Sequence, residues 1–591
     1  MRPRRSAIIT GIAALTLALG ACSGSATPST STGTGSGGAP QRGGTLHMLG
    51  QSDIFNLDPV SAYYTVSSLI ERLFTRQLFS YRNVSNWTQQ TQPVPDVATV
   101  VPTTANGGIT DGGKTYTIHI RSGVMWDTSP PRQVTAADFV RDFKFLCNPA
   151  SPVGAPGYFD STITGMQSYC NGFAKVKPSA AAIGKYVSSH DLPGVTAQGP
   201  QTLVFHLISP ANDFVNILGM GFSSARPAEY LKYVPDSAPF RQHTLSDGPY
   251  KIQSYTADRS FVFVRNPAWR QSSDPLRHAY VNQINVTEGL NAASVQQQLA
   301  AGTGDMEWDV PPPAQDLPGL EASHDNRLVI SPKPTGFTYV TLNQYAGPFK
   351  NPKLRQAVAY ALNKNAIVRI LGGPAIAQPA EQFMLPGSIG YVGGFNAYPN
   401  NNGNGNPAAA KKLLSQAGFP HGVAIKLIFS ATDPTPREAQ AMQSSLQAAG
   451  FKVKLMQVTQ SDWYAKYLEQ PSTAKRDVWD ISLPGWIPDW FGNNGRATIQ
   501  PLFTNPGPLA NDFDGYTSPV TNGLINKALT ATTPSVAASY WVKANEQVTK
   551  AVADVPLIDQ KWAIFHSSRV HGCVFFVNAL NCDPANVWLS G

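Results

Sequence analysis

Charged residues are scarce in this chain of 591 residues and make up 14% of it. The 45 Lys and Arg residues against 37 Asp and Glu leave a formal net charge of +8, and no long block of basic residues occurs. Nucleic-acid-binding surfaces are usually marked by clustered Lys and Arg. The composition therefore gives no reason to expect a nucleic-acid partner.

The motifs of common catalytic and metal sites are also missing. The sequence contains no phosphate-binding P-loop and no HExxH zinc motif. It has five cysteines, no CxxC pair, and ten histidines that do not cluster with the cysteines. We therefore expect no metal, no cofactor and no enzymatic activity.

The apolar stretch at the amino terminus is too short to span a bilayer. Residues 7–21 carry no charge and follow a cationic start with Arg2, Arg4 and Arg5. Since a span needs about 20 residues, the pattern predicts a signal peptide over residues 1–21. The stretch ends in LGAC, which resembles a bacterial lipobox whose cysteine, here Cys22, becomes lipidated. An ordinary signal peptide with a chance cysteine is the alternative.

Residues 22–44 consist almost entirely of Ser, Gly, Thr, Ala and Pro. Such a segment has little to bury, so it is expected to be a flexible tether with a reach of about 26 Å. With lipidation at Cys22, it predicts a protein anchored to the extracytoplasmic face of the bacterial cell membrane. The body beyond residue 44 has no apolar run long enough for a span, and its length suggests two or three domains.

The remaining four cysteines form two local pairs along the sequence. Cys147 is followed by Cys170, and Cys573 is followed by Cys582. Outside the cytoplasm an even set of cysteines is usually oxidised. We predict the disulfides Cys147–Cys170 and Cys573–Cys582, with the two crossed pairings and metal binding as alternatives.

Hydrophobic periodicity predicts a mixed α/β body. Residues 114–126 alternate between apolar and polar as a strand does, and residues 201–209 also have strand character. Residues 352–371 have the spacing of one helix, with Pro352 near its first turn. Helices and strands alternate over residues 407–458, which predicts an α/β lobe with a largely parallel sheet.

The order of several short motifs resembles one known family. GGTL, NLDP and PDVA come first, followed by GKTYTIHIRSGVMW, VTAADF, DGPYKI and VRNPAW. GPFKNPKLRQAVAYALNKNAIV, AGFKVKL, GYTSPVTNGLINKAL and VPLIDQ complete the series. Each motif is weak alone. The ordered set, over roughly residues 43–569, resembles the family 5 solute-binding proteins of peptide and nickel ABC importers, which include dipeptide- and oligopeptide-binding lipoproteins.

The resemblance implies an α/β fold with two lobes, of the periplasmic-binding-protein type. Two crossover strands are expected near residues 334–344 and 553–562, with a small third domain inserted in the first lobe. The implied divisions are a first lobe of residues 45–80, 195–334 and 556–591, an inserted domain of residues 81–194, and a second lobe of residues 335–555. Ligand is then expected to bind between the lobes as they close.

The segment GWIPDWFGNNG, residues 485–495, carries the candidate ligand site. In peptide-binding members of the family, an acid in a W-x-x-D segment after a D-x-x-x-x-G-W run pairs with the α-ammonium of the ligand. Here that acid is Asp489, between Trp486 and Trp490. Trp463 matches a family tryptophan that lines a side-chain pocket. A surface-loop role for Asp489 and core packing for Trp463 are the alternatives.

The resemblance is incomplete at the other end of the ligand. Some oligopeptide binders place an arginine shortly before the GW pair to meet the ligand carboxylate, and here Leu483 stands at that position. Arg355 belongs to a motif of the fold itself, so a structural contact is expected for it. Recognition of a free ligand carboxylate is therefore not predicted.

The implied function is the capture of a solute for import. The resemblance implies a monomeric binding lipoprotein that takes peptides or a related amine-bearing solute and delivers it to an ABC permease and ATPase complex. Two alternatives stay open at this point. The same fold binds oligosaccharides or metal chelates in other family members, or it serves as an extracellular sensor or chaperone.

Overall fold

The computed structural model describes residues 39–504 and 513–590. The predicted signal peptide, Cys22 and the tether up to residue 38 lie outside the described residues. The strands are β1 (Thr45–Leu49), β2 (Phe79–Ser80), β3 (Val94–Pro95), β4 (Ile109–Thr110), β5 (Thr115–His119), β6 (Met125–Trp126), β7 (Arg132–Gln133), β8 (Val195–Ala197), β9 (Thr202–His206), β10 (Tyr250–Thr256), β11 (Ser260–Arg265), β12 (Gln283–Thr287), β13 (Met306–Glu307), β14 (Leu328–Ile330), β15 (Gly336–Leu342), β16 (Ala377–Pro379), β17 (Val423–Ser430), β18 (Phe451–Val458), β19 (Ile481–Ser482), β20 (Gly485–Trp486), β21 (Val555–Gln560), β22 (Ala563–Phe565), β23 (Val570–His571), β24 (Phe575–Phe576), β25 (Asn581–Cys582) and β26 (Trp588–Leu589).

The α-helices are distributed along the whole described chain. They are α1 (Thr65–Phe74), α2 (Trp87–Gln90), α3 (Ala136–Phe145), α4 (Gly157–Asp160), α5 (Met166–Phe173), α6 (Ala180–Ser189), α7 (Phe214–Ile217), α8 (Ala238–Arg241), α9 (Ala292–Ala301), α10 (Leu317–Ala322), α11 (Pro352–Ala361), α12 (Lys364–Ile370), α13 (Pro407–Gln416), α14 (Thr435–Ala448), α15 (Gln460–Asp462), α16 (Pro471–Lys475), α17 (Gly495–Phe503), α18 (Pro519–Leu529) and α19 (Pro534–Lys550). No helix within the described ranges is both long and apolar enough to cross a bilayer.

A five-stranded sheet opens the fold, in the order β10-β11-β12-β1-β13. β1 pairs in parallel with β12 and β13, although these strands lie more than 230 residues further along the chain. The alternating residues Leu46 and Met48 of β1 are fully buried. Ile284 and Val286 of β12 are at most 1% exposed. This period of two places one face of the sheet in the core.

A separate four-stranded antiparallel sheet, in the order β4-β5-β9-β8, carries its own core. Helix α3 packs against this sheet, and Phe139 and Phe143 on one side of α3 are fully buried. Phe143 meets Phe205 of β9 edge-on, with ring centroids 5.0 Å apart. The last strand of this sheet ends at His206, beyond the predicted domain end at residue 194.

A seven-stranded sheet dominates the second half, in the order β16-β21-β15-β19-β17-β18 with β20 also paired to β15. β17 pairs in parallel with β18, as expected for two strands joined through helix α14, and it also pairs in parallel with β19. The pairs that β15 and β21 make are all antiparallel. The prediction of a largely parallel sheet is therefore wrong. β15 is antiparallel to β19, β20 and β21, and β21 is antiparallel to β16.

The single helix predicted over residues 352–371 is two helices, α11 and α12. Leu362 between them has extended backbone, with φ −69° and ψ 126°. Asn363 then caps α12 by accepting a hydrogen bond of 3.0 Å from the amide of Ala366. Asparagine competes well for such backbone groups, and this favours a new helix start over a continued helix.

The two stretches expected to cross between lobes are neighbours in the structure. They form β15 and β21, which pair antiparallel with Gly336 opposite Gln560. The flanking strands β14 and β22 also pair antiparallel, with Val329 opposite Ile564. The chain thus leaves the first half and returns to it along one two-stranded ribbon.

Both predicted disulfides are confirmed. Cys147 pairs with Cys170 beside the four-stranded sheet, and their Cα atoms are 5.2 Å apart. Cys573 pairs with Cys582 near the carboxyl end, and their Cα atoms are 5.0 Å apart. These separations lie within the usual range for disulfide bridges.

A fully buried ion network fixes helix α1, whose first turn lies at the site described below. Asp96 pairs with Arg76 and with Arg277, each at 2.8 Å, and Asp274 lies 3.3 Å from Arg277. Burial alone would raise the pKa of Asp274, but the two arginines outweigh burial and hold its pKa well below the usual range. The network joins the end of α1 to the loop before β12.

Asp274→Asn is expected to lower the free energy of unfolding by about 3–5 kcal/mol, because two buried guanidinium groups then share one carboxylate. In the parent, the stabilisation from Asp274 is present above about pH 4 and is lost as the pH falls through the lowered pKa. Urea unfolding followed by circular dichroism at pH 7 and pH 3 measures both effects. The exposed control Asp316→Asn should stay within about 0.5 kcal/mol of the parent, and an equal change in both variants would contradict the assignment.

Candidate functional site

A cavity of about 500 Å³ lies where the two halves of the chain meet at β15. This volume is within the range of small-molecule sites in proteins. Nine of its 22 described lining residues are aromatic, and the lining comes from distant parts of the sequence. The lining residues are Tyr63, Tyr64, Thr65, Ser68, Tyr81, Thr335, Gly336, Phe337, Thr338, Tyr464, Gly485, Trp486, Ile487, Pro488, Asp489, Trp490, Phe491, Gln560, Trp562, Val577, Asn578 and Leu580.

The segment from Gly485 to Phe491 forms one continuous wall of the cavity. It starts as strand β20, which holds Trp486 opposite Phe337 of β15. The indole of Trp486 donates a hydrogen bond of 2.8 Å to the carbonyl of Ala497. The indole of Trp490 donates one of 2.7 Å to the carbonyl of Asn493. These bonds fold the chain back on itself, so Asp489 is presented between two fixed indoles.

Asp489 is the one carboxylate among the described lining residues, and it is half-buried. The hydroxyl of Tyr158 donates a hydrogen bond of 2.6 Å to its Oδ2 atom. The hydroxyl of Tyr63 also interacts with this carboxylate. Burial raises the pKa of Asp489 to about 6, while both tyrosine hydrogen bonds act to lower it. Burial and the nearby carboxylate raise the pKa of both phenols, so they remain donors at neutral pH.

The lining residues of the described chain include no Lys, Arg or His. The negative charge of Asp489 is therefore balanced only by neutral donors. Leu483, which stands where some relatives carry an arginine, is buried in the core of the seven-stranded sheet. Arg355 is also buried and donates a hydrogen bond of 2.8 Å to the carbonyl of Val552, as expected for a structural contact.

The predicted site residues are only partly brought together. Asp489, Trp486 and Trp490 line the cavity, whereas Trp463 does not. Trp463 is 4% exposed, packs in a small core and donates a hydrogen bond of 2.9 Å to Ser482. Its neighbour Tyr464 lines the cavity instead. Both lie on a π-helical turn, Trp463–Leu468, in which adjacent side chains point in different directions.

Several lining residues were missed by the sequence analysis. Tyr63 and Tyr64 precede helix α1, Trp562 follows strand β21, and Asn578 lies in the loop closed by the Cys573–Cys582 bridge. Nothing in their local sequence marks them as site residues. A tyrosine pair and a tryptophan are equally typical of ordinary core packing.

The wall that carries Asp489 also ties the two halves of the molecule together. Trp490 packs edge-on against Tyr158, with ring centroids 5.0 Å apart. Asn493 donates a hydrogen bond of 2.9 Å to the side chain of Asn212. Buried Arg496 donates one of 2.9 Å to Thr162. The segment after β20 therefore combines cavity lining with contacts between the halves.

The described residues contain no group of three or more His, Cys, Asp or Glu side chains placed to hold a metal ion.

Comparison with known proteins gives a consistent result. The model of the family described as "Bacterial extracellular solute-binding proteins, family 5 Middle" matches residues 92–504. The glutathione-binding protein GsiB of Salmonella typhi is 24% identical over 528 residues, which cover 88% of this chain and 90% of that protein.

Solved structures share the fold over nearly the whole chain. Clavulanic acid biosynthesis oligopeptide binding protein 2 superposes with a TM-score of 0.81 at 22% identity, over 93% of this chain and 96% of that one. The periplasmic binding protein DppA from Helicobacter pylori, in complex with the peptide STSA, gives a TM-score of 0.70 at 20% identity, over 93% and 99%. The α/β solute-binding fold predicted from the sequence is confirmed.

The raised pKa of Asp489 predicts a pH-dependent stability of the ligand-free protein. The folded state keeps the proton up to about pH 6, whereas an unfolded Asp releases it near pH 4. The folded state binds more protons between these values, so the free energy of unfolding falls as the pH rises through them, by on the order of 1–3 kcal/mol. Asp489→Asn should lessen this slope by the share of Asp489, since Asp480, Asp559 and Glu438 also have raised pKa values, and should make the ligand-free protein more stable than the parent at pH 7.

The measurement is urea unfolding at several values between pH 4 and pH 8, after refolding from denaturant to strip bound solute. Asp316→Asn serves as the control, because this acid is exposed and remote from the cavity lining. If the Asp489→Asn variant shows the same slope as the parent, the raised pKa is not a property of Asp489.

Proposed function

Because the chain belongs to family 5 of the bacterial extracellular solute-binding proteins, we propose that its cavity captures a peptide or a related amine-bearing solute for an ABC importer. The observation that carries this proposal is the lining, which combines aromatic walls with the single carboxylate of Asp489. According to their names, the relatives given above bind glutathione and peptides. Each of these two kinds of ligand carries an α-ammonium or a related amine.

Asp489 is proposed as the anchor of the ligand ammonium. In a cavity with little water, a carboxylate attracts an ammonium far more strongly than an exposed acid does, because solvent screening is reduced. Trp486 and Trp490 lie on either side of Asp489 in the same wall, and an indole adds about 0.5–2 kcal/mol of cation–π attraction. The hydroxyls of Tyr63 and Tyr158 keep the carboxylate hydrogen-bonded while the ligand is absent.

We also propose the division into lobes implied by the sequence resemblance. Residues 45–80, 195–334 and 556–591 then form the first lobe, residues 335–555 the second, and residues 81–194 the inserted domain. The two-stranded passage through β15 and β21 supports this division. The cavity lining draws on both proposed lobes, which suits capture by lobe closure.

Membrane attachment belongs to the same proposal. The LGAC motif supports lipidation of Cys22, and residues 22–44 then tether a monomeric body near its permease and ATPase partners. The family is one of solute-binding proteins, so we propose binding without catalysis.

Replacement of Cys22 by Ser should release the protein from the cell membrane. The thiol is the acceptor of the lipid in a lipobox, and a hydroxyl does not replace it. Fractionation of cells that express each form measures the membrane-bound share, with Cys22→Ser against the parent. A variant that stays as membrane-bound as the parent contradicts lipidation at this position.

Asp489→Asn should weaken binding of the natural ligand at least about thirtyfold, since loss of a buried charge pair costs about 2–5 kcal/mol. The ligand is first identified by mass spectrometry of what co-purifies from the native host, and then titrated calorimetrically. N-acetylation of that ligand should be equally harmful, and both changes together should be little worse than either alone.

A suitable control is Glu469→Gln. Glu469 is an exposed acid outside the lining that nevertheless acts electrostatically on Tyr64 and Tyr464 of the lining. Its variant should bind within about threefold of the parent, because an exposed charge contributes little. Should Asp489→Asn bind as well as this control, the acid is not an ammonium anchor.

A further inference from the structure

The loop closed by the second disulfide forms part of the cavity wall. Strands β24 and β25 pair antiparallel, with Phe575 opposite Cys582, and we call residues 573–582 the C-terminal hairpin. Three residues of its turn, Val577, Asn578 and Leu580, line the cavity. The other disulfide, Cys147–Cys170, closes a loop of which no described residue lines the cavity, although the fully buried Tyr158 in that loop donates a hydrogen bond to Asp489.

The hairpin has little internal support. Each of its strands is only two residues long, and such short hairpins are marginal on their own. Leu580 in the turn has a positive φ of 49°, which a residue with a branched side chain adopts at a cost. The turn must therefore be held in its conformation by other groups.

One external support is the buried side chain of Gln90. Its amide donates a hydrogen bond of 2.7 Å to the carbonyl of Phe575 and one of 2.6 Å to that of Val84. Its carbonyl oxygen accepts one of 3.0 Å from the amide of Val577. On the other strand, Asn581 donates a hydrogen bond of 3.2 Å to the carbonyl of Glu307. Both strands are thus fastened to the body of the protein, while the disulfide fastens them to each other.

The turn presents a polar group between two apolar ones. Val577 and Leu580 are buried, and Asn578 is half-buried. A carboxamide both donates and accepts hydrogen bonds, so it matches the peptide group of a ligand backbone. The preceding segment of the wall comes from Gln560 and Trp562, on the opposite side of β15 from Trp486 and Asp489. β20 and β21 lie on either side of β15 and are therefore separated by two strand spacings, about 10 Å, a width that a peptide of two or three residues spans.

We propose that the C-terminal hairpin is a ligand-contacting wall of this site, that Asn578 is its hydrogen-bonding group, and that the Cys573–Cys582 bridge keeps it arranged for binding. This inference rests on the proposed function, in which the cavity takes a peptide. Reduction of the bridge leaves the rest of the fold in place but lets the turn move away from its bound arrangement. If the turn has to become ordered when the ligand binds, the entropy cost of that ordering lowers the affinity.

The test compares two disulfide-free variants with the parent. One is the double variant Cys573→Ser with Cys582→Ser, and its matched control is the double variant Cys147→Ser with Cys170→Ser. Each loses one bridge, but only the first loses a bridge at the cavity. The probe is a synthetic library of dipeptides to tetrapeptides, and the peptides retained after gel filtration are identified by mass spectrometry. The peptide retained best by the parent is then titrated calorimetrically against every variant.

The first double variant should bind this peptide at least tenfold more weakly than the parent and at least threefold more weakly than the control, whose bridge encloses Tyr158 but no residue of the described lining. Asn578→Ala should weaken binding at least fivefold without a change in melting temperature. A further readout is specific to the bridge. Addition of a phosphine reductant should weaken binding by the control variant, which retains Cys573–Cys582, and should leave binding by the first double variant unchanged.

The outcomes separate the two proposals. If the parent retains no peptide, the capture of peptides in the proposed function fails and this inference fails with it. If the parent binds but the first double variant matches the control, or if the reductant has no effect, the hairpin proposal alone is overturned. Should the first double variant fail to fold, as circular dichroism would show, Asn578→Ala and the reductant titration of the control variant decide the question.

Discussion

The antiparallel pairing of β15 with β21 is the constraint on which the rest of the structure depends. The two strands place Gly336 opposite Gln560, although these residues are more than 220 positions apart. β15 also holds β20 on its other side, with Phe337 opposite Trp486. The single strand β15 therefore positions both the returning strand β21, with Gln560, and the wall that begins at Trp486. A register shift of one residue would turn each side chain to the other face of the sheet.

The electrostatics of the cavity follow from this arrangement. Asp489 is brought into an aromatic environment whose described lining has no basic side chain. Its carboxylate is stabilised by phenol donors alone, and burial therefore raises its pKa to about 6. A ligand ammonium would supply the missing opposite charge. The same balance explains why the ligand-free site is expected to keep a protonated acid up to about pH 6, while a bound amine favours the ionised acid.

The wall around Asp489 has two roles that are difficult to separate. Trp490 and Arg496 follow the acid closely in sequence, yet both pack against residues from the first half of the chain. Arg496 also lies over the ring of Tyr158, 5.3 Å from its centroid, and Tyr158 in turn donates to Asp489. The phenol of Tyr158 thus connects the contacts of Arg496 with the proposed ammonium anchor, Asp489.

The sequence by itself determined the features that depend on local spacing. The disulfide pairs were predictable because each pair closes a short loop, and Asp489 with its flanking tryptophans was predictable because it lies in one continuous segment. The α/β class followed from periodicity and from the order of motifs. Tertiary structure alone decided the rest. Trp562 and Asn578 meet the site because the chain returns along β21, and Tyr63 and Tyr158 meet it because the tertiary fold places their hydroxyls at Asp489. A π-helical turn buries Trp463 and exposes Tyr464 to the cavity, a choice that depends on helix geometry and not on residue type. The mixture of parallel and antiparallel pairs in the seven-stranded sheet is also a tertiary property. The directions of β15 and β21 depend on the path of the chain between them and not on the local sequence of either strand.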